Sequence, residues 1–205
     1  EMNLTTLALL FASVIAGAIV VEIFKPNKSK NIQILLTFSG AYLLAVSVLH
    51  LLPELFEHNS TKHIGLFILG GFLIQIFLEY FSQGIEHGHS HISNAIPFSV
   101  LASLCLHALL EGVPLGGHLN QHAHNALLTG IVLHKIPVAI VLMTFFLQTK
   151  TPKLKSYLYL LIFGAMGPIG VFAGSFFTAL YNYHNEIMAI VIGIFLHIST
   201  TILFE

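Results

Sequence analysis

Two short polar motifs stand inside long apolar stretches of this chain. His107 and Glu111 are four residues apart, so on an α-helix their side chains share one face. His134 and Lys135 stand near the middle of the next apolar stretch. Zn²⁺ accepts imidazole nitrogen and carboxylate oxygen together in four-coordinate geometry, and adjacent antiparallel helices would bring His107 and His134 to the same depth. We therefore predict a metal site formed by His107, Glu111 and His134.

A proline follows each motif at the same interval. Pro114 lies three residues after Glu111, and Pro137 lies three residues after His134. Proline lacks a backbone N–H and clashes with the carbonyl of residue i−4, which a membrane helix tolerates where its backbone lines a cavity. The alternative for a single histidine in a membrane helix is that it forms an interhelical hydrogen bond and has no further role. The two motifs together favour a functional site.

The composition of the chain places these motifs in a membrane. Of the 205 residues, 56% are hydrophobic and 8% are charged, whereas soluble domains carry about 25% charged residues. There is no Asp, Arg or Trp, but there are 13 His, and neutral imidazole is the commonest metal ligand. The net charge of −1 gives no indication of nucleic-acid binding.

Seven apolar segments are long enough to cross a bilayer, which needs about 20 mostly apolar residues per helix. They are approximately 4–24, 32–56, 64–85, 96–119, 122–147, 156–181 and 186–204. The connections are short, and no soluble domain separates them. We therefore predict an all-α integral membrane protein, a polytopic bundle of seven helices in one domain over residues 1–205.

Lysines in two of the connections predict the orientation of this bundle. They lie after the first and the fifth segments: Lys25, Lys28, Lys30, Lys150, Lys153 and Lys155. The loops of the opposite side carry only Lys62. Because positive charge marks the cytoplasmic side, the N-terminus is expected outside, in a plasma membrane or a bacterial inner membrane.

Histidines and acids near the ends of the segments suggest where a metal enters and leaves. The predicted external entrance comprises His50, Glu54, His118, His122 and His124. The predicted cytoplasmic exit comprises His87, His89, His91 and His197. Histidine tracts of this kind commonly bind metals. The alternative is that the loop histidines are solvated turn residues and that Glu54 merely ends its helix.

Lys135 needs its own explanation, because a lysine in a membrane interior must be paired, neutral or in reach of water. It points about 100° away from His134 around the helix, since a turn has 3.6 residues. The nearest acid at matching depth is Glu111. We expect Lys135 to hydrogen-bond Glu111 and to weaken the binding of the metal by Glu111. The competing interpretation is that Lys135 extends towards water.

Several stretches resemble the ZIP (Zrt/Irt-like) metal transporters. The run from His107 to Gly116 resembles their fourth-helix pattern His-x-x-x-Asp/Glu-Gly, and His134-Lys-Ile-Pro137 resembles their fifth-helix pattern His-x-x-Pro. The runs 49–54 and 164–170 resemble the end of their second helix and their sixth helix. The resemblance implies an eight-helix fold, a metal site between helices four and five, and influx towards the cytoplasm. Only seven segments are visible, so either an eighth helix lies beyond Glu205, which we expect, or this member does without it.

Several positions depart from the family pattern. Many members hold two metals bridged by acids, but Lys135 and Val138 stand where acids, amides or histidine often occur. Ala108 replaces a frequent Asn, and Gly167 stands where some members have Glu. A second cation would lose most of its ligands and face an ammonium. The sequence therefore resembles a branch with one metal site and His-Lys-x-Pro on the fifth helix.

The predicted function is Zn²⁺ influx through a single midplane site, with divalent metal ions and the lipid bilayer as partners and a homodimer as one option for assembly. Fe²⁺, Mn²⁺ and Cd²⁺ use similar ligands. The alternative is an intramembrane seven-helix zinc-dependent hydrolase, which would need an open coordination position and a general base. Such enzymes usually use Asp, and Glu111 would have to act as base while facing the metal. A metal-sensing receptor would be expected to carry larger soluble segments.

Overall fold

Seven long helices account for most of the part of the chain that the structure describes. The computed structural model describes residues 4–24, 29–57, 61–82, 98–117, 119–149, 151–177, 180 and 182–204. The helices are α1 (Leu4–Phe24), α2 (Lys30–Glu57), α3 (Thr61–Ser82), α4 (Phe98–Gly112), α5 (Gln121–Gln148), α6 (Lys153–Phe176) and α7 (His184–Phe204). All seven include a stretch long and apolar enough to cross a membrane when the 3₁₀ turn Val113–Gly116, which continues α4, is counted with it. The prediction of an all-α membrane protein with seven spanning helices is confirmed.

The sixth helix ends earlier than its apolar run predicts. Helix α6 ends at Phe176, and Phe177 has extended torsion angles of φ −86° and ψ 110°, whereas the predicted segment continued to residue 181. Hydropathy reports how a stretch partitions into lipid rather than how its backbone is hydrogen-bonded. An apolar run can therefore continue past the end of its helix.

Prolines alter the helical turns near the ends of α2 and α4. Helix α2 becomes π-helical over Ser47–Leu51, just before Pro53. Because Pro53 has no N–H, the Leu49 carbonyl cannot receive the usual α-helical hydrogen bond from it, and a wider turn accommodates this loss. Pro114 similarly lies in the 3₁₀ turn Val113–Gly116 that extends α4.

Helix α5 is the most enclosed helix among the described residues. Of its most apolar 18-residue stretch 72% is buried, against 22% for α3. Helix α5 packs on α1, α2 and α6, while α4 packs on α6 and α3 packs on α7. The helix that carries His134 and Lys135 is therefore surrounded by protein rather than by lipid.

Glycines bring α4 and α6 into close contact. Small residues let helices approach closely in a membrane, and four glycines of α6 lie on the face that packs on protein. They are all buried: Gly164, Gly167, Gly170 and Gly174. A Cβ at Gly170 would overlap the carbonyl oxygen of Leu109 on α4. This contact holds the backbone of α4 against α6 close to the two predicted ligands of α4.

Contacts between helix ends show which ends share a side of the bundle. Asn120, directly before α5, hydrogen-bonds Glu54 near the end of α2. Lys153 at the start of α6 lies near Glu22 at the end of α1, with Nζ and Oε1 3.5 Å apart. We call the side with the starts of the odd-numbered helices the N-face, and the opposite, lysine-bearing side the K-face.

Candidate metal centre

The predicted metal ligands lie on neighbouring parts of α4 and α5. His107 and Glu111 are one turn apart on α4, and His134 is on α5. Their exposed fractions are 2% for His107, 1% for Glu111 and 1% for His134. Ionisable side chains are rarely buried to this extent unless they are paired or coordinate a metal.

The ligand atoms of the three residues converge. His107 Nε2 is 3.1 Å from Glu111 Oε1, and one ligand atom from each of the three residues lies within 4.8 Å of the others. Two ligands of one tetrahedral Zn²⁺, with bond lengths of about 2.1 Å, are about 3.4 Å apart. The distance between His107 Nε2 and Glu111 Oε1 is close to this value. His134 would need to approach by no more than about 1.4 Å to complete the set.

Lys135 points into the same site. Its Nζ donates a hydrogen bond to Glu111 Oε2 at 3.5 Å, and its exposed fraction is 1%. The Phe163 ring also borders the ammonium, with its centroid 5.7 Å from Nζ. Gly167 leaves room for the ammonium, because a Cβ there would lie 3.1 Å from Nζ. His107 and Lys135 therefore share the carboxylate of Glu111, with Oε1 towards His107 and Oε2 towards Lys135. The competing interpretation, in which Lys135 extends to water, does not match this geometry.

Gln75 on α3 contacts the site and was not among the predicted residues. Its side chain is fully buried, and its Oε1 accepts a hydrogen bond from His107 Nδ1 at 3.1 Å. The sequence carried one signal that could have found it, a single amide in the middle of the apolar run of α3. Spacing alone could not show that this amide faces α4.

The predicted entrance residues are partly gathered at the N-face. A cavity of about 580 Å³ is lined by His50, Glu54 and His122, together with Leu49, Pro53, Phe56 and Glu57. The rings of His50 and His122 are 5.1 Å apart. His124 does not line this cavity and instead lies with Nε2 3.1 Å from Thr6 Oγ1. His118 lies outside the described residues.

The predicted exit residue His197 packs on α3 rather than facing lipid. Its Nε2 is hydrogen-bonded to Glu79 Oε2, and its ring meets the Phe72 ring edge-on at a centroid distance of 4.9 Å. Glu79 was not predicted, and it lies one turn after Gln75 on α3. The other predicted exit residues lie outside the described part of the chain: His87, His89 and His91.

Comparison with known proteins bears on the function of this arrangement. The family model described as ZIP Zinc transporter matches residues 86–205, more than half of the 205-residue chain. The chain belongs to the ZIP zinc transporter family. A search of curated proteins finds no match. The matched region contains α4 to α7 and therefore His107, Glu111, His134 and Lys135.

Membership of this family establishes the general function. ZIP proteins move divalent metals across membranes, and the seven apolar helices make the chain a multi-pass membrane protein. Because the family consists of transporters rather than enzymes, the intramembrane hydrolase considered from the sequence is not favoured.

Proposed function

We propose that this ZIP transporter carries Zn²⁺ towards the cytoplasm through one site formed by His107, Glu111 and His134. The observation that supports this most directly is the buried convergence of their ligand atoms within 4.8 Å. His107 is near the middle of the span Phe98–Gly116, and His134 is near the middle of Gln121–Gln148. Two imidazoles and a carboxylate suit Zn²⁺. Fe²⁺, Mn²⁺ and Cd²⁺ accept similar ligands, so selectivity has to be measured.

Lys135 supports the proposal of one metal rather than two. A second cation beside Glu111 would meet the ammonium that already occupies Oε2 at 3.5 Å. With the ammonium in place, Glu111 offers the metal one oxygen of a carboxylate whose charge is partly compensated. Such a site binds weakly enough to release its ion, as conduction requires.

The orientation of the protein, on which the proposed inward direction depends, rests on the distribution of lysine. Lys30, Lys153 and Lys155 all lie at the K-face, and an excess of lysine marks the cytoplasmic side. The N-face cavity with His50, Glu54 and His122 then opens outside. Labelling a cysteine introduced at Asn185 with a membrane-impermeant maleimide, in a Cys105→Ser background, should succeed from outside intact cells; labelling only after permeabilisation would reverse the assignment.

The proposed route runs from the N-face cavity through the central site to His197. The Glu79–His197 pair lies towards the K-face ends of α3 and α7, which is where the connection with His87, His89 and His91 begins. A carboxylate beside an imidazole can receive a metal that leaves the centre.

The proposed homodimer is a separate prediction, which light scattering of the purified protein would check.

Zinc uptake into proteoliposomes tests the proposed function. Purified protein should raise the signal of a zinc indicator inside the vesicles, and His107→Ala and Glu111→Gln should each abolish this uptake. His63→Ala is the matched control, because His63 is an exposed histidine that pairs with Glu186 at the N-face. Uptake equal to that of empty vesicles, or full uptake by both site variants, would contradict the proposal. Parallel assays with Fe²⁺, Mn²⁺ and Cd²⁺ would establish selectivity.

A further inference from the structure

Gln75 connects the candidate metal centre to a helix that supplies none of its proposed ligands. The amide is fully buried in α3, and its Oε1 lies 3.1 Å from Nδ1 of His107 on α4. These residues are 32 positions apart in the chain, so the contact is a property of how α3 packs on α4. A buried glutamine in a membrane helix is costly unless its polar atoms are used.

The chemistry of an amide oxygen decides the state of the imidazole. A carbonyl oxygen only accepts hydrogen bonds, so Nδ1 of His107 must carry the hydrogen. In the neutral form, which is the form of histidine that binds metals, the lone pair is then on Nε2. This is the nitrogen that lies 3.1 Å from Glu111 Oε1. Two acceptor atoms at this separation repel each other until a cation lies between them.

We propose that Gln75 is a positioning residue that holds His107 in the tautomer with hydrogen on Nδ1, so that Nε2 is available to the transported metal. This inference rests on the proposed function of His107 as a ligand. Histidines that bind metals commonly donate their other N–H to a carboxylate or a carbonyl, which fixes the ring and raises its basicity. The neutral amide of Gln75 fixes the ring without the added basicity that a carboxylate would supply. His107 is thereby kept oriented yet able to release its ion.

Nuclear magnetic resonance of the metal-free protein tests the tautomer directly. The full chain, labelled with ¹⁵N-histidine and reconstituted in lipid nanodiscs, would be compared with a His107→Gln variant to assign the His107 signals. We expect the shift of a protonated nitrogen at Nδ1 and of an unprotonated one at Nε2. A hydrogen on Nε2 in the wild-type protein would overturn the proposal. With Nδ1 bare it would mean that Gln75 donates through its amide nitrogen, and with Nδ1 also protonated it would mean that His107 is an imidazolium ion.

Two substitutions at Gln75 should move metal affinity in opposite directions. Gln75→Leu removes the acceptor, and loss of such a partner typically weakens metal binding by about 10-fold to 100-fold. Gln75→Glu supplies a stronger acceptor, so zinc should bind more tightly and be released more slowly, which lowers the maximal rate of uptake. A merely structural role would weaken binding in both variants. Calorimetry with Zn²⁺ and uptake into proteoliposomes would measure the two effects.

Controls separate the tautomer from charge and from folding. Gln33→Leu and Gln33→Glu make the same changes at an exposed glutamine of α2 and should leave affinity and uptake unchanged. A carboxylate at position 75 could also attract zinc by charge alone, so Gln75→Glu should be repeated in a His107→Gln background, where its benefit should disappear. A benefit that persists there, or equal losses in both Gln75 variants, would overturn the proposal. If the tautomer is as expected but the wild-type protein carries no zinc, the proposed function fails and the role of Gln75 in holding His107 stands.

Discussion

Replacing Lys135 by methionine is the most informative perturbation of the centre, because it removes a buried charge while keeping most of the side-chain volume. In the structure the ammonium donates to Glu111 Oε2 at 3.5 Å and is 1% exposed. We expect Lys135→Met to tighten the binding of Zn²⁺ and to slow its release.

The size of the effect follows from Coulomb's law. A divalent ion held on Glu111 Oε1 would lie roughly 5.5 Å from the ammonium, and the repulsion is about 1.5 kcal/mol at the dielectric constant of water and about 6 kcal/mol at an effective constant of about 20. Since about 1.4 kcal/mol corresponds to a factor of ten, the dissociation constant should fall at least about 10-fold. The loss of the hydrogen bond that orients Glu111 opposes part of this gain in affinity. We therefore base the expected 10-fold change on the smaller of the two repulsion energies.

Calorimetric titration with Zn²⁺ and uptake into proteoliposomes would measure binding and flux on the same preparation. Lys153→Met is the matched control, because the Lys153 Nζ also lies 3.5 Å from a carboxylate oxygen, that of Glu22, but its side chain is 70% exposed. An exposed pair of this kind contributes little, so affinity should not change. Lys135→Glu should raise the stoichiometry from one zinc to two. Unchanged affinity, one-site stoichiometry and normal flux in Lys135→Met would remove Lys135 from the mechanism.

Three further predictions concern the route and the packing around the centre. Replacing His50 and Glu54 together with uncharged residues should raise the KM for zinc uptake more than it lowers the maximal rate, because the N-face cavity that both line is the proposed entrance and would concentrate cations less strongly without them; an unchanged KM would exclude a capture role. Gly170→Leu should lower the free energy of unfolding by about 1–3 kcal/mol through overpacking against α4. Gly65→Leu should not, because nothing lies within 4 Å of a Cβ added at Gly65. Thermal unfolding in detergent would measure both effects. His197→Ala should slow uptake while zinc affinity at the centre stays the same, and a parallel loss of affinity would argue against a separate exit step.

The sequence by itself determined the features that depend on local spacing and on composition. Runs of apolar residues long enough to cross a bilayer predicted seven helices, because lipid requires each backbone group to be satisfied within its own helix. The spacing of His107 and Glu111 predicted a shared face, because it depends only on 3.6 residues per turn. The match between the depths of His107 and His134 could also be anticipated, since short connections make neighbouring helices antiparallel.

Only the tertiary structure decided which distant side chains meet. Gln75 reaches His107, and Glu79 reaches His197 across 118 positions of the chain. Both contacts depend on the rotation of α3 about its axis. That rotation is set by packing against α4 and α7, where a Cβ at Gly71 would overlap the backbone of Ile190. Hydropathy cannot fix such a rotation, because in lipid both the protein-facing and the outward sides of a helix are apolar.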